Sequence, residues 1–423
     1  MNIYIKKMGC KVNEYEASSI MTTLTKLGHN EVSEVKSADL ALVFTCAVTN
    51  EAESKSRQMV SKIYKGNPNI KIIVCGCSSQ NNAEQFAEKD GVVAVVGMNK
   101  LAILDLVKKL DELEKHICCD IATKYETYEI PNMNKTRHFV KIQDGCNNFC
   151  TYCLIPYLRG RSRSRPLNEV LEEIKIASQN SKEIVITGID VSDYKTEKGE
   201  TLIDLIKAIK DIDVRLRFSS LECNIITEEL LQELKNCRNF CPHFHLPLQS
   251  GANQTLKDMN RHYTKEEFIE KVDIIRKYFG DCGITTDVIV GFPTETETDF
   301  LETVETIKRV NFSDIHAFPY STRKGTAISK IAKALDGNIV SERQQILLKL
   351  KAELHSSYLK RHIGKTASML TENVKGDYLM GYTKEYIKVL LPKGVAKPSS
   401  IVEVKLQEMV DSDMLGELIS KED

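Results

Sequence analysis

Long apolar runs, a charge excess and repetitive tracts are all missing from this chain of 423 residues. No uninterrupted apolar stretch approaches the ~18 residues that a membrane-spanning helix needs, so no membrane span is expected. Met1 leads straight into an alternating pattern at Ile3, Tyr4 and Ile5, with Lys6 and Lys7 close behind. That is not the layout of a signal peptide, and a cytoplasmic location is the expectation. The formal net charge is -1, so the overall basic excess common in nucleic-acid enzymes is absent. Any RNA contact has to rest on local basic patches. No low-complexity tract occurs, and any internal repeat is limited to a strand–helix period.

Cysteine is what the chain has in quantity, with thirteen residues, an odd number. Disulfides are disfavoured in a reducing cytosol, so thiolate metal ligation or catalysis becomes the first question. Most such cysteines are small buried hydrophobes, and seven of the thirteen are read that way. Hydrophobic residues at 42% and charged residues at 28% are ordinary for a globular chain.

Residues 1–121 alternate strand-like and helix-like patterns, which predicts an open parallel sheet. Strands are expected at Asn2–Lys7, Asp39–Phe44, Ile70–Val74 and Gly91–Val96, with helices such as Glu16–Leu27 and Glu51–Lys65 between them. Residues 122–136 are polar and aperiodic and read as a linker. From 137 to 362 a second series of six βα units suits a partial barrel better than a complete eight-fold one. Its strands are expected at His138–Gln143, Glu183–Thr187, Arg215–Ser219, His243–Pro247, Gly283–Val290 and Asp314–Pro319, and Arg343–His362 reads as a closing helix. Residues 363–423 carry short β-rich stretches and predict a small all-β module, a compact barrel. The fold class is therefore α/β with a small β-barrel at the end.

The strongest local signal is Asp144-Gly145-Cys146-Asn147-Asn148-Phe149-Cys150-Thr151-Tyr152-Cys153, directly after the first strand of the second series. Three thiolates on one short loop can hold three irons of a cubane cluster and leave the fourth iron open. Structural zinc normally wants four closed ligands, which makes it the weaker alternative. Cys146-x3-Cys150-x2-Cys153, with Tyr152 before the last cysteine, resembles the signature of the radical S-adenosylmethionine (SAM) superfamily. The resemblance implies a cluster at the barrel mouth that reduces SAM to methionine and a 5′-deoxyadenosyl radical.

Three more cysteines recur where strands end: Met8-Gly9-Cys10, Phe44-Thr45-Cys46 and Cys75-Gly76-Cys77. In an open parallel sheet these carboxyl ends share one edge, so a second trio of ligands converges there. Cys75 and Cys77 both qualify by position, and Cys77, in the loop just past the strand, is favoured. Lys7–Glu16, Cys46–Gln58 and Gly76-Cys77 together resemble the methylthiotransferase family, and within it the branch acting on N6-threonylcarbamoyladenosine (t6A) in tRNA. The resemblance spans essentially the whole chain and ends in a TRAM-like RNA-binding barrel. One departure is Asp190, which follows Thr187-Gly188-Ile189 where the family usually has a small or polar residue.

Strand ends of the predicted barrel offer a SAM pocket: Gly188, Ser220, Glu222, Gln249 and Phe318, together with Tyr152. By resemblance Ser220 and Glu222 face the ribose or methionine part of SAM, and an aromatic at Phe318 packs near adenine. Local turn chemistry is the competing explanation for each. The run Arg159, Arg161, Arg163 and Arg165, alternating largely with serine, is the clearest basic patch and is expected to contact RNA phosphates. Arg261-His262-Tyr263 is a weaker one, and Tyr382 and Tyr386 are expected to stack on bases.

The implied reaction places a methylthio group on C2 of t6A at position 37 of tRNA, with SAM and two [4Fe-4S] clusters as cofactors. The resemblance gives the Cys146 trio the radical and the Cys10 trio the sulfur. Expected partners are tRNA carrying t6A at position 37, a reductant for the clusters and a sulfur donor, and neither a membrane nor DNA. Rival readings are a methylthiotransferase acting on isopentenyl-adenosine or on a ribosomal protein, and a non-catalytic zinc-binding RNA protein.

Overall fold

The computed structural model describes residues 1–113, 115–132 and 136–421. Its first unit is a six-stranded parallel sheet built from β1 (Asn2–Lys7), β2 (Asn30–Val32), β3 (Leu40–Thr45), β4 (Lys71–Gly76), β5 (Val92–Val96) and β6 (His116–Cys118), in the order β2-β1-β3-β4-β5-β6. Every residue of β3 is buried, as befits a central strand covered on both faces. Helix α1 (Lys11–Lys26) and helix α2 (Asn50–Gly66) lie on opposite faces, over separate apolar cores. A short helix α3 (Cys77–Asn81) follows β4 directly.

The second unit has β7 (Arg137–Lys141), a small ribbon of β8 (Gln143–Asp144) and β9 (Arg163–Ser164), then β10 (Glu183–Thr187), β11 (Arg215–Phe218), β12 (His243–His245), β13 (Gly283–Val290) and β14 (Asp314–Pro319). β7, β10 and β11 form one parallel sheet and β12, β13 and β14 another. A parallel bridge between Leu216 and Phe240 joins them near the start of β12. The result is the predicted six-stranded partial barrel around one large apolar core. The chain ends in a closed five-stranded barrel, β15 (Thr366–Lys375), β16 (Tyr378–Thr383), β17 (Lys388–Pro392), β18 (Ile401–Val410) and β19 (Asp413–Lys421), in the order β15-β16-β17-β19-β18. Among the described residues no helix is long and apolar enough to cross a membrane.

The segment expected to be a linker has no helix or strand among its described residues, and positions 133–135 of it lie outside them. It is nonetheless packed. Tyr128 is buried in the core beneath α1, and the Tyr125 hydroxyl donates to the Lys141 carbonyl at 2.9 Å. The closing helix, Gly337–Lys360, starts before the expected Arg343, because the Asp336 side chain caps it by accepting from the Asn338 N–H at 2.8 Å.

Candidate functional site

Parallel strands deliver their carboxyl ends to one edge, and in the first sheet that edge carries thiols. Cys10 follows β1 and caps α1, Cys46 follows β3, and Cys77 opens α3. Gly9 has φ +91°, and a Cβ there would sit 2.7 Å from both Cβ and Sγ of Cys46, so the first two loops meet at this glycine. Gly76 has φ +110°, and a Cβ there would lie 2.6 Å from the Thr45 carbonyl oxygen. Cys75 points the other way, into the apolar core with Phe44, Ile73 and Val96. Burial pushes its thiol up to about 12. Alternation alone would leave Cys77 on the same face as Cys75, but the chain leaves the strand at Gly76 and turns into α3, which places Cys77 at the shared edge.

The second trio sits on one loop. Gly145, φ +72°, lets the chain pass where a Cβ would meet the Arg161 carbonyl oxygen at 2.1 Å. N–H groups aim at the sulfurs: Asn148 at Cys146, Ile155 at Cys153 and Arg261 Nη1 at Cys150, each at 3.4 Å. In the first trio Arg159 Nε does the same for Cys77 at 3.3 Å. Such donors favour the thiolate, the metal-binding form. Burial opposes them, pushing Cys46 up to about 11 and Cys146 and Cys153 up to about 12. A bound metal reverses that balance. Trios of sulfur with glycine-opened backbone fit a cluster that keeps one open iron better than a closed tetrahedral zinc site.

A buried ion network lies between the trios. Glu16 on α1 accepts from Lys141 Nζ at 2.6 Å and from Arg159 Nη1 at 3.2 Å, and pairs with Lys100. Asp144, beside Gly145 and Cys146, accepts from Lys141 at 2.7 Å and from Arg159 at 2.9 Å. Lys100 also donates to Asn13, whose amide donates to the Met8 carbonyl at 2.6 Å. Burial opposes ionisation of Glu16 and Asp144, yet the cations outweigh it and hold both carboxyls well below their usual range. Leu154, Ile155 and Leu158 pack against Ala47, Cys77 and Met98 across the same junction.

The expected RNA patch is largely overturned. Arg159 is fully buried in the network just described. Arg165 is buried too, paired with Glu173 and 3.3 Å from the Tyr15 hydroxyl. Arg163 spends its guanidinium on the carbonyls of Arg159 and Arg161. A buried cation is tolerated only with partners, and here Asp144 and Glu173 nearby in sequence are joined by Glu16 and Tyr15 more than 140 residues upstream. Arg161 alone of the four is exposed, stacked on Phe149 with 4.3 Å to the ring centroid. Arg261 is likewise withdrawn, paired with Glu222 while it reaches Cys150. Tyr386 stays partly exposed but stacks on Tyr382 at 4.7 Å and on His243 at 4.6 Å, with Arg217 nearby, contacts that dock the terminal barrel on the partial barrel.

The expected SAM residues surround the second trio unevenly. Tyr152 packs edge-on against Phe292, 6.5 Å between centroids. Gly188 has no room for a Cβ, which would meet Gln143 Oε1 at 3.0 Å, and that same oxygen accepts from the N–H groups of Ile189 and Asp190. Gln143 is a positioning residue that sequence inspection missed. Burial, with Glu222 and Asp193 nearby, raises Asp190 to about 6. Glu222 is held by Arg261, Gln249 sits at φ +61° bridged to Val288, and Phe318 is half exposed beyond the barrel interior. Ser220 lines a cavity of about 650 Å³ that the partial barrel shares with the closing helix and the terminal barrel, together with Lys11, Arg137, Arg217, His245, Asp287 and His316.

Residues 2–97 match the model described as Uncharacterized protein family UPF0004, and residues 140–307 match the Radical SAM superfamily. A Threonylcarbamoyladenosine tRNA methylthiotransferase MtaB from Chlamydia pneumoniae is 36% identical, covering 97% of either chain. Its namesake from Bacillus subtilis is 35% identical, over 94% of this chain and 92% of its own. A tRNA-2-methylthio-N(6)-dimethylallyladenosine synthase from Thermodesulfovibrio yellowstonii is also 35% identical, over 99% of both. In fold the chain is similar to the radical SAM methyltransferase TsrM from Kitasatospora setae, with a TM-score of 0.58 at 12% identity over 78% of this chain and 73% of that one. Family models at both ends of the site and near-full-length relatives leave no room for a non-catalytic zinc protein: the chain belongs to the methylthiotransferase family of the radical SAM superfamily.

Proposed function

We propose that the enzyme adds a methylthio group to C2 of t6A at position 37 of tRNA. The observation that carries this reading is the pair of cysteine trios, one on a sheet edge and one on a barrel loop, with a single ion network between them. The cofactors are SAM and two [4Fe-4S] clusters, and we assign Cys146, Cys150 and Cys153 to one and Cys10, Cys46 and Cys77 to the other. When bound, they supply a 5′-deoxyadenosyl radical from SAM and a methylated sulfur for transfer.

C2 of adenine carries a hydrogen that acid–base chemistry cannot remove readily, so the chain's own task is orientation and exclusion of water. Arg261 joins Glu222 to Cys150, and this registers the carboxylate assigned to SAM against the cluster loop. Gln143 fixes the backbone after Gly188 in the same way. Tyr152, Ser220, Gln249 and Phe318 complete the proposed SAM pocket. Arg161 is what remains of the proposed RNA contact on the cluster side. We divide the chain at 1–121, 122–136, 137–362 and 363–423, the last a TRAM-like RNA-binding barrel. A reductant and a sulfur donor complete the reaction, in the cytoplasm.

Relatives named for t6A support this choice, and one named for dimethylallyladenosine supports the second reading. Mass spectrometry of tRNA nucleosides from a deletion strain separates them. Loss of methylthio-t6A is the expected result; loss of the methylthio form of isopentenyl-adenosine instead overturns the choice.

A further inference from the structure

Two near-equal relatives differ in the group their names place on N6 of adenosine. Threonylcarbamoyl ends in a carboxylate, whereas dimethylallyl is a hydrocarbon. A site for the former needs a cation, and a cation facing the latter would be stranded without a partner.

Lys11 directly follows Cys10; it is an exposed residue, and it also lines the barrel cavity. The other cations of that cavity are already matched. Arg137 pairs with Glu183 and Glu372, Arg217 with Glu183, Lys351 with Asp314 and Lys388 with Asp413. The carboxylate of Asp287 lies 3.3 Å from His245. The Lys11 ammonium enters no ion pair or hydrogen bond among the described residues, and its charged surroundings are Arg137, Arg217, Asp287 and Cys10. Arg137 adds a buried Nη2 that also has no hydrogen-bond partner. The cavity therefore offers unspent donors beside the trio that we assign to sulfur transfer.

Substrate geometry fits this placement. C2 and the carbon bearing N6 flank the same ring nitrogen, so an N6 substituent begins only a few bonds from the reacting carbon. A side chain next to a ligand of the sulfur-presenting trio is at that range. We propose that Lys11 binds the carboxylate of the N6-threonylcarbamoyl group and so selects t6A over dimethylallyladenosine; the inference rests on the function proposed above.

The test uses an anticodon stem-loop RNA bearing t6A, the same RNA with the threonyl carboxylate converted to a primary amide, and holoenzyme with both clusters. Wild type should bind the acid roughly 10- to 100-fold more tightly than the amide, the value of a charge-assisted hydrogen bond. Lys11→Met should bind both alike, and Lys11→Arg should keep the preference. Iron content and visible absorption of each variant are read alongside, because Cys10 is adjacent. Equal binding of acid and amide by wild type, or an undiminished preference in an iron-replete Lys11→Met protein, overturns the role of Lys11. If wild type methylthiolates the t6A RNA in either case, the proposed function survives. If it modifies only dimethylallyladenosine RNA, that function fails as well.

Discussion

The two cysteine trios solve one problem by opposite routes. Cys146, Cys150 and Cys153 sit within eight residues of one loop, so local backbone geometry almost suffices to gather them. Cys10, Cys46 and Cys77 are spread over 68 residues and meet only because β1, β3 and β4 are parallel neighbours in one sheet. The local trio depends on the turn around Gly145, while the dispersed trio depends on the integrity of a sheet. Both are flanked by the one network of Glu16, Lys100, Lys141, Asp144 and Arg159, so they share a support while each holds its own ligands.

The sharpest way to break the comparison is to remove one sulfur from each. Cys150→Ala should abolish 5′-deoxyadenosine formation outright. Cys46→Ala should spare it yet stop thiolation, both read by chromatography of the reaction mixture. A Cys46→Ala protein that still thiolates would erase the division of labour.

Removing the shared support comes next. Arg159→Met leaves Glu16 and Asp144 short of a buried cation and should cost about 3–5 kcal/mol, seen as a fall in Tm together with iron loss from both trios. Loss from only one trio would make the network private to it.

The glycines divide the two regions more finely. Gly76→Ala should cost about 1–3 kcal/mol and lower iron at the sheet edge while the loop trio keeps its spectrum. Gly145→Ala should do the reverse. Smallest is Arg161→Ala, which should weaken RNA binding uniformly and reduce its salt slope by about 1, since one exposed guanidinium is one phosphate contact.

The same contrast governs how much the sequence could reveal. The loop trio was legible in a ten-residue window. The sheet trio was legible only through the repetition of strand followed by cysteine, and Cys75 against Cys77 turned on which lay past the strand end. Several elements were legible residue for residue, including β1, β10, β13 and β14, because their apolar periods are clean. Helix α1 began at Lys11 rather than the expected Glu16, since Cys10 caps it with no side-chain hydrogen bond to advertise the start. In residues 363–423 a compact barrel was legible but its five strands were not, since barrel closure rather than local pattern pairs them. The arginine run misled because a run of charges looks solvated. Its partners Glu16 and Tyr15 are far upstream, and no window reading can pair them with Arg159 and Arg165.

The central claim is that each trio carries its own cluster, and iron counting on anaerobically purified protein tests it most directly. Combined with Mössbauer spectra, the account predicts about seven to eight irons per chain, falling to about four when either trio alone is changed to alanine. A colourless zinc protein, or iron that vanishes wholly with one trio and is untouched by loss of the other, would contradict it.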